Sequence, residues 1–433
     1  MQNKIKKVAF YTLGCKLNFA ETSTISRFFI TENFKIVKFN EFADFYVINS
    51  CSVTSNADKK SRNSISKALH INPDAVIIVT GCYAQLNTDE IKKTFGVDYI
   101  FGVNNKDEIR KIIHNFKKNE VPDIITTDHK EMKTFFPAFS KGDRTRSFLK
   151  VQDGCDYFCS YCTIPYARGR SRNQPVTEII SNARNIVDDG IKEIIISGVN
   201  IGDFGKTTGE SFQELLCSLS DIEGLERFRI GSIEPNLLSD EIIDFAATNK
   251  KFMPHFHIPL QSGSDTILKL MNRKYDTHLF RYKIEKIKGV MPYAFIGIDL
   301  IVGVNGETEE HFEETVKFVN SLDISFIHHF QYSERKNTKA LNFKPKVTSQ
   351  QKQERSKVIK DISDKKHYNF LKDNIGKEFY VLFESTRKGN KIFGYTDNYI
   401  KVEYNYDKDL INKIVKVKLT GFADSETLTV QIL

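Results

Sequence analysis

The sequence predicts an α/β protein built as three successive units. These are an N-terminal domain around a parallel sheet, a central partial barrel of six β/α repeats, and a small C-terminal β barrel. Three observations carry this reading. Short apolar runs alternate with amphipathic stretches through the first third of the chain, the alternation repeats six times through the middle, and short β runs separated by turn residues fill the end. A length of 433 residues is itself too great for one ordinary core.

In the first third, VAFYTL (8–13), DFYVINS (44–50), AVIIVTG (75–81) and VDYIFG (97–102) read as strands. ETSTISRFFI, ADKKSRNSISKAL and KDEIRKIIHNF, between and after them, have helical spacing, which makes a βαβα unit with a mostly parallel sheet. Cys15, Cys51 and Cys82 each follow one of these strands. In an open parallel sheet the carboxyl ends of the strands share one edge, and ligands bind there. A single cysteine in such a place is most often a small buried hydrophobe. Three in equivalent positions, each beside Gly, Asn or Ser, favour a shared metal centre. Zinc usually takes four protein ligands and no histidine is adjacent, whereas three thiolates on a four-iron cluster leave one iron open.

The segment VQDGCDYFCSYCTIPYARGRSR (151–172) is the most informative. Cys155, Cys159 and Cys162 have the spacing C-x3-C-x2-C, so close that they must serve one centre, again with a fourth position unfilled. Downstream, SFLKVQ, EIIISG (193–198), RFRIGS (227–232), HFHIPL (255–260), AFIGIDLIVG (294–303) and ISFIHHFQY (324–332) alternate with helical segments. Barrels of this kind place their sites at the carboxyl ends of the strands. That position makes Ser197, Gly198, Ser232, Glu234, Gln261, Ser262, Gly263 and Asp299 candidates. Bland readings compete: SGVNIGDFG (197–205) reads as a turn, Glu234 as a loop cap before Pro235, and His255 and His257 as packed or hydrogen-bonded groups. Cys217, in the helical QELLCSL, reads as core.

C-x3-C-x2-C with Tyr161 before its last cysteine resembles the radical S-adenosylmethionine superfamily. The resemblance implies that the open iron chelates S-adenosylmethionine, whose reductive cleavage gives a 5′-deoxyadenosyl radical. It makes the central unit a partial (β/α)6 radical-SAM barrel, with Tyr161, Ser197, Gly198, Ser232, Glu234, Gln261, Ser262 and Asp299 as candidate cofactor contacts. Three N-terminal cysteines, this core and a C-terminal β unit together resemble the methylthiotransferases over nearly the whole chain. The family layout implies an N-terminal methylthiotransferase domain over 1–125, a radical SAM core over 141–368 and a TRAM domain, OB-like and RNA-binding, over 369–433. It further implies two [4Fe-4S] clusters, an auxiliary one on Cys15, Cys51 and Cys82 and a radical-SAM one on Cys155, Cys159 and Cys162. One S-adenosylmethionine gives the methyl group and a second gives the radical, which the chemistry needs because the target C–H has no acid–base handle.

Three branches of the family compete: isopentenyl-adenosine-37 of tRNA, threonylcarbamoyl-adenosine-37 in the same anticodon loop, and an aspartate of a ribosomal protein. YTLGCKLNFAET (11–22) resembles the threonylcarbamoyl branch, whereas the isopentenyl branch more often reads GCQMN. INSCSVTSNADKKSR (48–62) points the same way. Two departures from the family pattern are Val304–Asn305, where Phe-Pro is usual, and Lys336–Asn337, where Gly is common. A reading of a different class is a non-catalytic RNA-binding iron–sulfur protein. Against it stand two centres that each offer an open iron.

EFYVLFES, KIFGYTDNYIKVEY, KIVKVKLTGFA and TLTVQIL carry the C-terminal barrel of five strands. Residues 370–433 hold 10 Lys/Arg against 9 Asp/Glu, so the barrel itself is nearly neutral. The basic excess lies in 344–367, read as a helix, with 8 against 3. That helix, Arg168, Arg170 and Arg172 are candidate phosphate contacts, although the arginines equally suit acids inside the barrel. Tyr395 and Tyr399, taken as exposed, are candidates for stacking on bases, with strand packing as the alternative.

Composition bounds the rest. A net charge of +8 permits a polyanionic partner without requiring one. No run of 18 apolar residues and no secretory leader pattern is present, so a cytoplasmic protein without a membrane span is expected. Seven cysteines, an odd and scattered set, do not make a disulfide scaffold. The expected partners are tRNA and a low-potential electron donor such as flavodoxin, and nothing calls for more than a monomer.

Overall fold

The computed structural model describes residues 5–94, 96–142 and 145–433. Residues 1–4 and 95 of the unit expected over 1–125, and 143–144 of that expected over 141–368, lie outside the described residues.

The first sheet has six parallel strands: β1 (Lys7–Thr12), β2 (Lys35–Val37), β3 (Phe45–Ser50), β4 (Val76–Gly81), β5 (Tyr99–Phe101) and β6 (Asp123–Ile125). Their order is β2-β1-β3-β4-β5-β6. Val8, Val47 and Ile78 face one apolar layer with Phe29, while Ala9, Ile48 and Val79 face the other with Ile65 and Ala68. Burial on both faces is why these strands read as continuous apolar runs. The sequence reading found four strands and missed β2 and β6. Those are edge strands of three residues each, too short to show a period.

The central unit begins with β7 (Arg146–Lys150). Two short strands, β8 (Gln152–Asp153) and β9 (Arg172–Asn173), then pair antiparallel and close the base of the cysteine loop. β10 (Glu193–Ser197) and β11 (Arg227–Ile230) join β7 in one parallel sheet. β12 (His255–Gln261), β13 (Phe295–Val302) and β14 (Phe326–Gln331) form a second. A single parallel bridge, Phe228 to Phe252, and the bond from Ile233 N–H to the His257 carbonyl (3.0 Å) link the halves into one curved wall. Ile194, Ile196, Phe228, Ile230, Phe256, Ile258, Ile296 and Ile298 pack outward into the helical layer. By the period of two, Glu193, Arg229, His255, His257 and Asp299 face the concave lumen.

The helix Ser349–Asn374 leads to a closed barrel of β15 (Glu378–Lys388), β16 (Lys391–Thr396), β17 (Lys401–Asn405), β18 (Ile414–Phe422) and β19 (Leu428–Ile432), ordered β15-β16-β17-β19-β18. Three expectations are corrected here. The basic stretch 344–367 is helical only from Ser349, because the chain through Pro345 precedes a capping box of Thr348 with Gln351. That helix continues to Asn374, across the boundary expected between 368 and 369. Tyr395 and Tyr399 are not exposed: they stack on each other at 4.9 Å, and Arg146 of β7 lies 4.4 Å from the Tyr395 ring. Among the described residues no helix is long and apolar enough to cross a membrane.

Candidate functional site

β1, β3 and β4 are neighbours, and their carboxyl ends carry Cys15, Cys51 and Cys82. Two glycines let these ends converge. Gly14 has φ +98°, and a Cβ there would stand 2.9 Å from the Cys51 Cβ. Gly81 has φ +97°, and its Cβ would lie 2.3 Å from the Ser50 carbonyl. Cys15 is open to solvent, Cys51 and Cys82 are buried, and none of the three is in a disulfide. Burial pushes the Cys51 thiol up to about 11, with Cys82 and Cys15 adding to it. Burial also raises Cys82, against the pull of Arg168.

The second thiol group lies in the loop between β8 and β9. Each sulfur accepts one N–H bond: Cys155 from the Tyr157 amide (3.5 Å), Cys159 from Arg273 (3.1 Å) and Cys162 from the Ile164 amide (3.4 Å). Burial pushes Cys155 and Cys162 up to about 12. Donors aimed at sulfurs that burial would otherwise keep protonated suit thiolates bound to metal, whose charge expels the proton. Among the described residues no three His, Cys, Asp or Glu groups converge on a single ion. In an iron–sulfur cluster each cysteine binds its own iron, so separated thiols are the donor arrangement it takes.

The short helix Ile164–Arg168 joins the two thiol groups. Ala167 packs against Cys82, and Arg168 follows it into a buried charge network. Its guanidinium meets Glu21 (3.1 Å), Asp153 (2.9 Å) and Asn18 (2.7 Å). Lys150 binds both acids, Glu21 at 2.8 Å and Asp153 at 2.6 Å, while Lys106 pairs with Glu21. Arg172 completes the set against Asp153 at 3.5 Å. Four cations thus surround two carboxylates, an excess of positive charge under the auxiliary thiols. Arg168 and Arg172 therefore serve the interior, and only Arg170 remains open to solvent, 3.6 Å from Asp156.

The other candidates fall into separate groups. Glu234 forms an ion pair with Arg273, which also reaches Cys159 and the Tyr161 hydroxyl (3.5 Å). Burial raises the Glu234 carboxyl against this arginine. Ser232 is half-buried in the same loop. Ser197 bonds the Ile195 carbonyl, and a Cβ at Gly198 would meet Gln152 Oε1 at 3.0 Å. That oxygen accepts the amides of Val199 and Asn200 and holds the glycine-rich loop in place. Gln261, at φ +67°, marks a bulge in β12. Ser262 is occupied by its own loop, 3.3 Å from the Thr315 hydroxyl, and Gly263 N–H bonds the same oxygen. Asp299 sits deeper, bonded to His257 at 2.9 Å. His255 packs on Phe295 and Tyr399. Cys217 is half-buried, its sulfur 3.5 Å from Gln213, which corrects its placement in the core. Asn305, where the family pattern has proline, bonds Glu334 (2.8 Å), and Asn337 takes φ +65°, a conformation that glycine adopts readily.

Sequence reasoning missed Arg273 and Gln152, which stand in no recognisable spacing.

Residues 7–102 match the uncharacterized protein family UPF0004, and residues 149–319 match the Radical SAM superfamily. The threonylcarbamoyladenosine tRNA methylthiotransferase MtaB of Bacillus subtilis is 39% identical across 98% of this chain and 97% of its own. The chain belongs to the radical S-adenosylmethionine methylthiotransferases. As a member of that family it is a transferase of alkylthio groups that works with S-adenosylmethionine and iron–sulfur chemistry. A tRNA-2-methylthio-N(6)-dimethylallyladenosine synthase of Clostridium botulinum, another similar protein, is 34% identical over 99% of this chain and 97% of its own. Among solved structures, the radical S-adenosylmethionine methyltransferase TsrM of Kitasatospora setae superposes with a TM-score of 0.54 at 12% identity. It covers 76% of this chain and 75% of that one, a likeness of fold.

Proposed function

We propose that this methylthiotransferase acts on tRNA and places a methylthio group at C2 of threonylcarbamoyl-adenosine-37 in the anticodon loop. The observation that carries the reading is that one short helix, Ile164–Arg168, leads from the C-x3-C-x2-C loop to Ala167, which packs against Cys82, so that the two three-thiol groups are neighbours. Cys15, Cys51 and Cys82 hold the auxiliary [4Fe-4S] cluster, and Cys155, Cys159 and Cys162 hold the radical-SAM cluster. Bound there, the cofactors supply the radical that removes the C2 hydrogen and the activated sulfur that replaces it.

The chain's own residues position this chemistry. Arg273 donates to the Cys159 sulfur, reaches the Tyr161 hydroxyl and pairs with Glu234, so it would hold these groups in place beside the radical-SAM thiols. Gln152 fixes the loop of Ser197 and Gly198 at the next strand end. Arg168 neutralises buried acids and brings positive charge under the auxiliary thiols. The helix Ser349–Asn374 and the C-terminal barrel offer the RNA surface, with the basic excess on the helix. A low-potential donor such as flavodoxin supplies the electron.

Mass spectrometry of tRNA nucleosides from cells with and without the gene tests the reading. Loss of the methylthio group from threonylcarbamoyl-adenosine, with the unmethylthiolated base accumulating, is expected. Loss from isopentenyl-adenosine instead would keep the reaction and change the substrate.

A further inference from the structure

The segment that follows β14 touches both cysteine loops. From it Arg335 reaches the turn that leaves Cys51, donating to the Ser52 hydroxyl at 2.7 Å and pairing with Asp58 at 2.7 Å. Ser52 in turn donates to the other Asp58 oxygen at 2.8 Å, so one arginine fixes the start of the helix Ser55–Ile71. Ser333 accepts a further bond from the Ser55 amide at 3.2 Å. The Arg335 and Asp58 side chains are 10% and 15% exposed, which shields the pair from the screening that weakens surface ion pairs. Further along the same segment, the Ala340 N–H donates to the Ser160 carbonyl at 2.9 Å. Ser160 lies between Cys159 and Cys162.

The stretch between these two anchor points is itself held. Thr338 Oγ1 donates to the Arg335 carbonyl at 2.7 Å, and Asn305 Nδ2 donates to the Ala340 carbonyl at 3.1 Å. Ala340 is buried in an apolar cluster with Tyr332, Val304 and Met271, against which Tyr161 packs. A short segment bonded in this way acts as a strap. It ties the turn after Cys51 to the loop of Cys159 and Cys162, a second link beside the helix Ile164–Arg168.

We propose that Arg335 is a positioning residue for methylthio transfer: through Ser52 and Asp58 it sets where the Cys51 turn stands relative to the Cys159 loop. The inference rests on the reading that sulfur comes from the first thiol group and the radical from the second. Two groups on different loops must then reach one substrate carbon, and a misplacement of about 1 Å can cost about 100-fold in rate. Without Arg335 the turn beside Cys51 loses its tie. The radical side keeps its own, from Arg273 to Cys159 and from Ala340 to Ser160. Loss of Arg335 therefore separates the two halves of the reaction instead of abolishing both.

The test uses the full-length, cluster-reconstituted protein with S-adenosylmethionine, dithionite and anticodon stem-loop RNA carrying threonylcarbamoyl-adenosine. Mass spectrometry counts 5′-deoxyadenosine and methylthiolated nucleoside, and hydrogen exchange is followed over residues 52–58. Arg335→Gln is expected to hold about eight irons per chain and to form 5′-deoxyadenosine near the native rate. It should form about 10- to 100-fold more of it per methylthio group transferred, and residues 52–58 should lose protection. Arg335→Lys, which keeps the cation, should recover most of the coupling. Lys336→Gln, at the exposed neighbour, should match the native protein. A variant that is merely destabilised loses both products together and keeps the native ratio. That result overturns the proposal, and so does a segment 52–58 that exchanges no faster. If Arg335→Gln does not take up its iron, Asp58→Asn removes the same ion pair from the other side and faces the same two outcomes. Native protein that transfers no methylthio group to this RNA or to its isopentenyl counterpart overturns the reaction reading and this proposal with it. Transfer to the isopentenyl RNA alone changes only the substrate, and the ratio is then read on that RNA.

Discussion

Arg168 shows how much one side chain can decide. It is 1% exposed, and it satisfies Glu21 and Asp153, two carboxylates that are themselves enclosed. Burial acts to raise both carboxyls, but Arg168 and the flanking lysines hold them well below the usual carboxylate range. Arg168→Met, similar in length and uncharged, would leave that balance broken. We expect it to destabilise the protein by about 3–5 kcal/mol, the scale for removing one partner from a buried pair, measured as a shift in urea midpoint. Arg170→Met, at the exposed neighbour, should shift the midpoint by less than about 0.5 kcal/mol. The contrast explains what the sequence could reveal. Arginines 168, 170 and 172 alternate in one motif, but which of them turn inward depends on Glu21 and Lys106, residues more than 60 positions away. Where the six cysteines lie, three at strand ends and three in one tight loop, was legible because those are local signals. Arg273 was not, because its partners Glu234 and Cys159 come from other loops.

At the scale of the element, the strand-to-helix turn at Gly81 places the third auxiliary thiol. The residue has φ +97°, and a Cβ would collide with the Ser50 backbone of β3 at 2.3 Å. The left-handed conformation alone costs an L-residue about 1–2 kcal/mol, and the collision forces β3 and β4 apart at the point where Cys51 and Cys82 leave them. Gly81→Ala should therefore reconstitute with about four irons per chain instead of about eight, keeping the cluster of the central loop. Iron analysis with electron paramagnetic resonance of the reduced protein checks this. Full iron content in Gly81→Ala would mean that the turn is not what holds Cys82 to its site. Gly190, with φ +83° and no neighbour within 4 Å of its Cβ, is the control, since its replacement strains only the local turn. The same scale accounts for the strands that were missed: β2 and β6 are defined by pairing with β1 and β5, not by any pattern of their own.

Across the whole molecule, two buried charge networks act as seams. One joins Glu21 and Lys106, on two helices of the N-terminal unit, to Lys150, Asp153 and Arg168 of the central unit. The other joins Glu193, Arg229 and Arg146 of the central barrel to Glu384 and the Thr396 and Asp397 carbonyls of the C-terminal barrel. Burial would raise Glu193 too, but Arg229 and Arg146 hold it below its ordinary value. All three acids, Glu21, Asp153 and Glu193, thus have folded values depressed below those of the unfolded chain. Such groups stabilise the fold fully above the unfolded carboxylate range, and the contribution is lost as pH falls through that range toward the depressed values. Urea midpoints should accordingly be flat between about pH 7 and pH 5 and fall below about pH 4, where the unfolded chain takes up protons first. Glu193→Gln cannot titrate, so it should lower the midpoint at neutral pH and flatten the acid limb. An acid limb of unchanged steepness in that variant would place the sensitivity in the first seam alone. Because the two seams meet the central barrel at opposite ends of β7, through Lys150 and Arg146, acid should loosen the outer units from it before the apolar layers of either melt. Hydrogen exchange at β7, which carries Lys150 of one seam and Arg146 of the other, would register that order.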